Sequence, residues 1–128
     1  NLRVETDSES VSVLSILTGG QVIIDLSRSQ NFTLTTTENI NYFTITNVPS
    51  DVSTFTIKIA QDGTGGRSVD IDDFKTSGGS SIPVFWPGGG VLPIITTTAN
   101  RSDIYSFRSF DGGSNWYGVV VGQNFTNW

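Results

Sequence analysis

Residues 101–122 read RSDIYSFRSFDGGSNWYGVVVG, two runs of aromatic and β-branched residues on either side of Asp111-Gly112-Gly113. A short turn of this kind, with glycine free to take positive φ, joins neighbouring antiparallel strands. On the first run Tyr105, Phe107 and Ser109 share one phase, and Ile104, Ser106, Arg108 and Phe110 share the other. Side chains alternate between the two faces of a strand, so one phase fills a core and the other meets whatever lies outside. Trp116 and Tyr117 then point to opposite sides. The hairpin therefore predicts Tyr105, Phe107 and Trp116 in the core, with Phe110 and Tyr117 turned towards a partner.

The same period of two recurs along the chain. Phe32 and Leu34 alternate with threonines, Phe55, Ile57 and Ile59 with Thr56 and Lys58, and Val69 and Ile71 with Ser68, Asp70 and Asp72. Further strand candidates are 11–17, 21–26, 41–46, 84–86 and 91–95. Turn residues separate them: Gly19-Gly20, Pro49-Ser50-Asp51, Asp62 to Gly66 and Gly88 to Gly90. Helical periodicity is nearly missing. About ten short strands at this spacing predict an all-β fold, an antiparallel β-sandwich of the jelly-roll kind. Residues 1–10, rich in Glu, Asp and Ser, read as an N-terminal arm, and 11–128 as one domain. Lys75 to Ser81 is expected to be an exposed loop. No repeat of fixed period is visible.

Composition removes several chemistries. Among 128 residues there is no Cys and no His. A disulfide framework is thereby excluded, as are Ser-His-Asp and Cys-His nucleophilic arrangements, and zinc loses its usual ligands. Only 7 Lys+Arg against 12 Asp+Glu give a net charge of −5, and the basic residues form no cluster, which argues against a nucleic-acid partner. The longest apolar runs, such as Val119-Val120-Val121, fall far short of the roughly 18 residues of a helical membrane span. The start reads polar and acidic, without a signal-peptide pattern.

Individual motifs weigh less. Asp70 and Asp72 share a strand face beside Asp73 and could offer oxygens to Ca²⁺, but the EF-hand pattern is missing, so a solvated face is the better account. Gly63-Thr64-Gly65-Gly66 lacks the remainder of a phosphate loop and reads as a turn. The carboxylates are numerous enough for glycoside hydrolysis, yet no cleft-forming insertion surrounds a pair, so the chain is read as non-enzymatic and without a cofactor or metal. Asn31, Asn100 and Asn124 head N-glycosylation sequons, a pattern common by chance. Aromatic residues on strands can also stack on pyranose rings. Trp86, Phe110 and Tyr117 are therefore the candidate contacts for a partner or a glycan.

Three segments resemble, in order, a β-sandwich module of tailed-phage virion proteins. They are FTIKIAQDGTGGRSV (55–69), FWPGGGVLPIITTTANRSDIYSF (85–107) and DGGSNWYGVVVGQNF (111–125). Together they span somewhat more than half of the chain. Two departures are Val69-Asp70-Ile71-Asp72-Asp73, where the module commonly has Thr-Trp-Pro, and the Gly/Ser loop at 76–81. The resemblance implies a structural part of the virion exterior: a tail fibre, a fibre knob or a protein decorating the head. Its implied partners are other virion proteins and further copies of itself, a homotrimer being the commonest arrangement, with host-surface polysaccharide as the ligand of a fibre tip. A carbohydrate-binding module is the alternative that the aromatics leave open.

Overall fold

The computed structural model describes residues 10–127, so all but Ser10 of the expected N-terminal arm lies outside the described residues. The chain is mostly β, with ten strands among those residues: β1 (Ser12–Val13), β2 (Gln21–Asp25), β3 (Asn31–Thr36), β4 (Tyr42–Thr46), β5 (Ser53–Gln61), β6 (Phe74–Lys75), β7 (Ser81–Ile82), β8 (Val84–Phe85), β9 (Arg101–Ser109) and β10 (Trp116–Thr126). A single four-residue turn, α1 (Pro87–Gly90), follows β8. The strands form a six-stranded sheet in the order β1-β3-β5-β9-β10-β8 and a four-stranded sheet in the order β2-β4-β6-β7.

From β1 to β6 the chain crosses from one sheet to the other at every step, and each strand lies parallel to the one two before it. Ser12 pairs with Phe32 and Phe32 with Ile57, while Val22 pairs with Phe43 and Phe43 with Phe74. The return distance thus varies from one winding to the next, which is why no fixed repeat is visible. From β7 onward the chain stops winding, and the antiparallel partners β7 and β9 close the far side of the coil.

The expected all-antiparallel pairing is therefore corrected. It holds for β5–β9, β9–β10 and β6–β7, but five of the eight ladders are parallel, so both sheets are mixed. The physical reason lies in what alternation encodes. Parallel sheets usually read as continuous apolar runs because both faces are covered. Here β3 and β5 bury one face and expose threonines and Lys58 on the other, so a parallel strand carries the pattern usual for an antiparallel one.

The buried phases of both sheets meet in one apolar core. Phe55 of β5 stacks on Phe107 of β9 at 5.1 Å between ring centres, and Phe74 from the other sheet lies 6.1 Å from Phe55 and 5.0 Å from Phe107. Trp116 meets Phe55 edge-on at 5.3 Å. Aromatic pairs in these tilted and edge-on geometries add about 0.5–1.5 kcal/mol each beyond their buried area.

Three further expectations change. Residues 68–72 form no strand; a single bridge joins Val69 to Ile40, although Val69 and Ile71 are buried and Asp70 and Asp72 exposed as the alternation predicts. Residues 91–95 run without strand pairing. The expected 75–81 loop narrows to 76–80, exposed as expected at the tip of a hairpin whose strands β6 and β7 take Lys75 and Ser81.

Candidate contact surface

The 101–122 hairpin forms as its alternation requires. Tyr105, Phe107, Ser109 and Trp116 are buried, whereas Phe110 and Tyr117 are 60% and 49% exposed. Its turn is held by Asp111, whose Oδ1 accepts the Asn115 amide at 3.0 Å and the Ser109 hydroxyl at 3.0 Å, while Oδ2 accepts Asn115 Nδ2 at 2.7 Å. Asn115 above all holds the Asp111 carboxyl below the usual carboxylate range. Gly112 and Gly113 take φ of 71° and 92°, as the turn demands.

On the outer face of the six-stranded sheet an aromatic patch gathers around Tyr117. Phe85 lies opposite it on β8, with ring centres 5.5 Å apart, and Phe110 meets it edge-on at 6.0 Å. The Arg108 guanidinium covers the Phe110 ring at 5.4 Å and donates to Thr54 Oγ1 at 3.0 Å. Val119 continues the exposed apolar surface along β10.

Trp86 does not belong to this patch, which corrects its place among the candidate contacts. It is 7% exposed, with its ring 6.4 Å from Tyr105 and 5.6 Å from Phe107. Because Phe85 faces out of the two-residue strand β8, its neighbour must face in. Gly118 makes room for the indole: a Cβ there would stand 2.7 Å from Trp86 ring atoms and 2.9 Å from Phe107 Cε1. Phe85, 47% exposed, takes the place expected for Trp86. The opposite parity of adjacent residues in 84–86 was the signal available for it. Arg108 was legible on the outer phase but is informative only once its contact with Phe110 is seen.

The segments at 61–67 and 96–100 come together in space. Gln61 Nε2 donates to the Arg67 carbonyl at 2.9 Å and the Thr96 carbonyl at 3.2 Å, and its Oε1 accepts the Arg67 amide at 3.1 Å. Asp62 Oδ1 accepts the Thr64 and Gly65 amides at 3.0 and 2.9 Å, and Oδ2 pairs with Arg67 Nη2 at 3.3 Å. The Gly65 amide above all keeps the Asp62 carboxyl low. Gly65, at φ +69°, sits so close to the crossing chain that a Cβ would lie 2.6 Å from the Ala99 nitrogen.

Beside this junction lies a buried carboxylate, on the inner phase of β9 with Tyr105 and Phe107, whose partners the sequence does not show. Asp103 Oδ2 accepts the Thr96 amide at 2.8 Å, the Tyr105 hydroxyl at 2.7 Å and Gln123 Nε2 at 3.3 Å, and Oδ1 accepts the Asn124 amide at 2.9 Å. Gln123 Nε2 also reaches the Ile94 carbonyl at 2.7 Å. Burial pushes the Asp103 carboxyl up, but the Thr96 and Asn124 amides and the Tyr105 hydroxyl outweigh it and hold it below the usual range. Burial and the neighbouring carboxylate push the Tyr105 phenol up. Asp103 therefore ties the unpaired 94–96 segment and the irregular end of β10 to β9.

The carboxylates with lowered pKa spend their oxygens on turns and backbone amides, which is structural work. Asp70 and Asp72 point to solvent, and among the described residues no group of three or more acidic side chains is placed to hold a metal ion. Of the sequon asparagines, Asn124 Oδ1 accepts Arg101 Nη1 at 3.0 Å, while Asn100 and Asn124 both stand at positive φ. Comparison of the chain with protein-family models, with curated proteins and with solved structures finds no match.

Proposed function

We propose that this chain is a non-enzymatic structural protein of the tailed-phage virion exterior, of the fibre, knob or head-decorating kind, acting as a homo-oligomer. In this reading the two sheets face one another as a β-sandwich, and the mixed coil described above replaces the jelly-roll connectivity. The observation that carries the reading is the outer aromatic patch of Phe85, Phe110 and Tyr117, about half exposed on the outer side of the six-stranded sheet. A large apolar patch on a rigid face marks a contact surface, and aromatic residues with an arginine at the rim are the composition of a subunit interface. A trimer is the arrangement that the resemblance of 55–125 implies.

The test is immunogold electron microscopy of intact particles with antibody against this domain, combined with the native mass of the purified protein. Label on head or tail with an oligomeric mass supports the proposal. Unlabelled particles and a monomer at high concentration overturn it.

The same patch favours one second reading, a carbohydrate-binding module, because Tyr117 flanked by two phenyl rings can stack on a sugar. Binding to a glycan array that disappears in Tyr117→Ala without unfolding would support that reading, and no binding at millimolar glycan would remove it.

A further inference from the structure

We infer that β10 is a self-association strand, Gly118–Val120 of one copy pairing antiparallel with the same residues of a second copy across a two-fold axis at Val119. The inference rests on the homo-oligomeric part of the reading above, sets a two-fold pair in place of the trimer that the resemblance implies, and names the contact.

The edge itself is the first observation. β10 pairs with β9 along one side, while β8 covers only Trp116 and Tyr117 on the other. From Gly118 onward no strand among the described residues lies along that side. In an antiparallel ladder a strand with one neighbour leaves half of its amides and carbonyls pointing outward, a template for another strand. Val119, Val120 and Val121 on this stretch are 47%, 42% and 59% exposed.

Charge selects the occupant. Edge strands are commonly guarded by Lys, by other charges or by Pro. Residues 116–126, WYGVVVGQNFT, contain none of these, although the chain carries a net charge of −5. Two copies repel through most of their surfaces, and a strand without charge is where they can approach without that cost. A charged peptide would find no counter-charge here. The other edges differ: β1 and β7 are two residues long, and β2 ends on Asp25, which pairs with Arg28.

Register shifts after Val120 and after Gly122 bend the remainder of β10, which confines regular pairing to 118–120. An antiparallel pair of identical strands is self-complementary, the condition for a closed two-fold dimer. Phe85, Tyr117, Phe125 and the three valines present roughly 500–600 Å² of apolar surface. This is below the ~800 Å² per partner of a standard interface, so the dimer should dissociate on dilution.

The chain has no cysteine, so one introduced thiol reports one position. Val119→Cys, Val120→Cys and Val121→Cys would be oxidised mildly, with exposed Thr35→Cys on β3 as control. A residue on the two-fold faces its own copy at ~4.5–5.5 Å between Cα atoms, within disulfide reach. At least one β10 variant is expected to cross-link to a dimer at ten times or more the control yield. Native mass should rise from one to two chains with concentration. Val120→Lys, or Val121→Lys at a more exposed position, should weaken dimerisation at least tenfold with an unchanged circular dichroism spectrum. A monomer at all concentrations without β10 cross-links overturns the inference. A trimer without β10 cross-links also overturns it while leaving the homo-oligomeric reading standing, and unlabelled virions with intact β10 cross-links would break the virion reading alone.

Discussion

Asp103→Asn exchanges an acceptor-only carboxylate for an amide with one acceptor and one donor group at the point where four donors converge. With its oxygen turned to Thr96, Tyr105 and Gln123, the new NH₂ confronts the Asn124 amide; turned round, it confronts the other three. At least one buried N–H is left unpaired in either orientation, which costs about 1–3 kcal/mol. The bonds that survive lose their charge assistance and with it roughly half their strength. The expected loss is about 2–4 kcal/mol, a large share of the ~5–15 kcal/mol of a typical domain. Urea unfolding followed by tryptophan fluorescence measures it, because Trp86 and Trp116 are both buried. The loss also has a pH signature. Asp103 is held below its ordinary value, so its contribution is present above about pH 4 and is lost as pH falls through the lowered folded pKa. The gap between native protein and variant should therefore be full at about pH 7 and narrow on acidification towards about pH 3. Asp25, Asp62 and Asp111 are lowered too, but they titrate in both proteins and cancel from the difference. A gap under about 1 kcal/mol at neutral pH, or one that does not change with acid, would refute the reasoning.

Tyr105→Phe removes the hydroxyl that donates to Asp103 and accepts from Gln123, and should cost about 1–2 kcal/mol in the same unfolding assay. Gly118→Ala drives a methyl group into the Trp86 and Phe107 rings and should cost about 1–3 kcal/mol, read as a lowered Tm; a neutral result would mean that Trp86 is not packed there. Gly65→Ala combines a positive φ with a backbone clash at Ala99 and should cost about 3 kcal/mol or more, with accelerated proteolysis between residues 62 and 100 as a second readout. Tyr117→Glu removes two ring contacts of a half-exposed side chain and should cost no more than about 1–2 kcal/mol, leaving the protein folded while abolishing whatever contact the aromatic patch makes, seen by native mass or glycan binding.

The parts legible in the sequence are those where one residue's phase is fixed by many neighbours. In β5, whose nine residues alternate without a break, and in β9 from Asp103 onward, the buried hydrophobic residues are Phe55, Ile57, Ile59, Tyr105 and Phe107, as the pattern requires. Short elements offer no such averaging. Only Val84, Phe85 and Trp86 lie between Pro83 and α1, so parity says that Phe85 and Trp86 face opposite ways but not which of them faces the core, and the Gly118 gap on β10 decides it. At 68–73 the alternation reports burial correctly although no ladder forms, because a side chain can pack beneath a sheet while its backbone bonds only at scattered points, the Ser68 carbonyl and Asp70 amide to Ile40 and the Asp73 carbonyl to the Phe43 amide. Asp103 was equally hidden. It shares the inner phase of Tyr105 and Phe107, but an acidic residue there reads as the frayed end of the pattern until the donors that surround it are known.

The sequence by itself determined the chemistry that is impossible, the all-β class, the turn at Asp111 and the split of the 101–122 hairpin into an inner and an outer face. Each follows from local quantities: residue type, a period of two and the φ demanded of glycine. Only the tertiary structure decided which strands are neighbours, that β1 to β6 wind between two sheets with parallel pairing, and that from Gly118 onward β10 has one strand neighbour among the described residues. Alternation specifies which side of a strand is wet, but the hydrogen-bonding edges of a strand carry no side chains. Their partners are therefore set by how the corners route the chain and by the fit of the core.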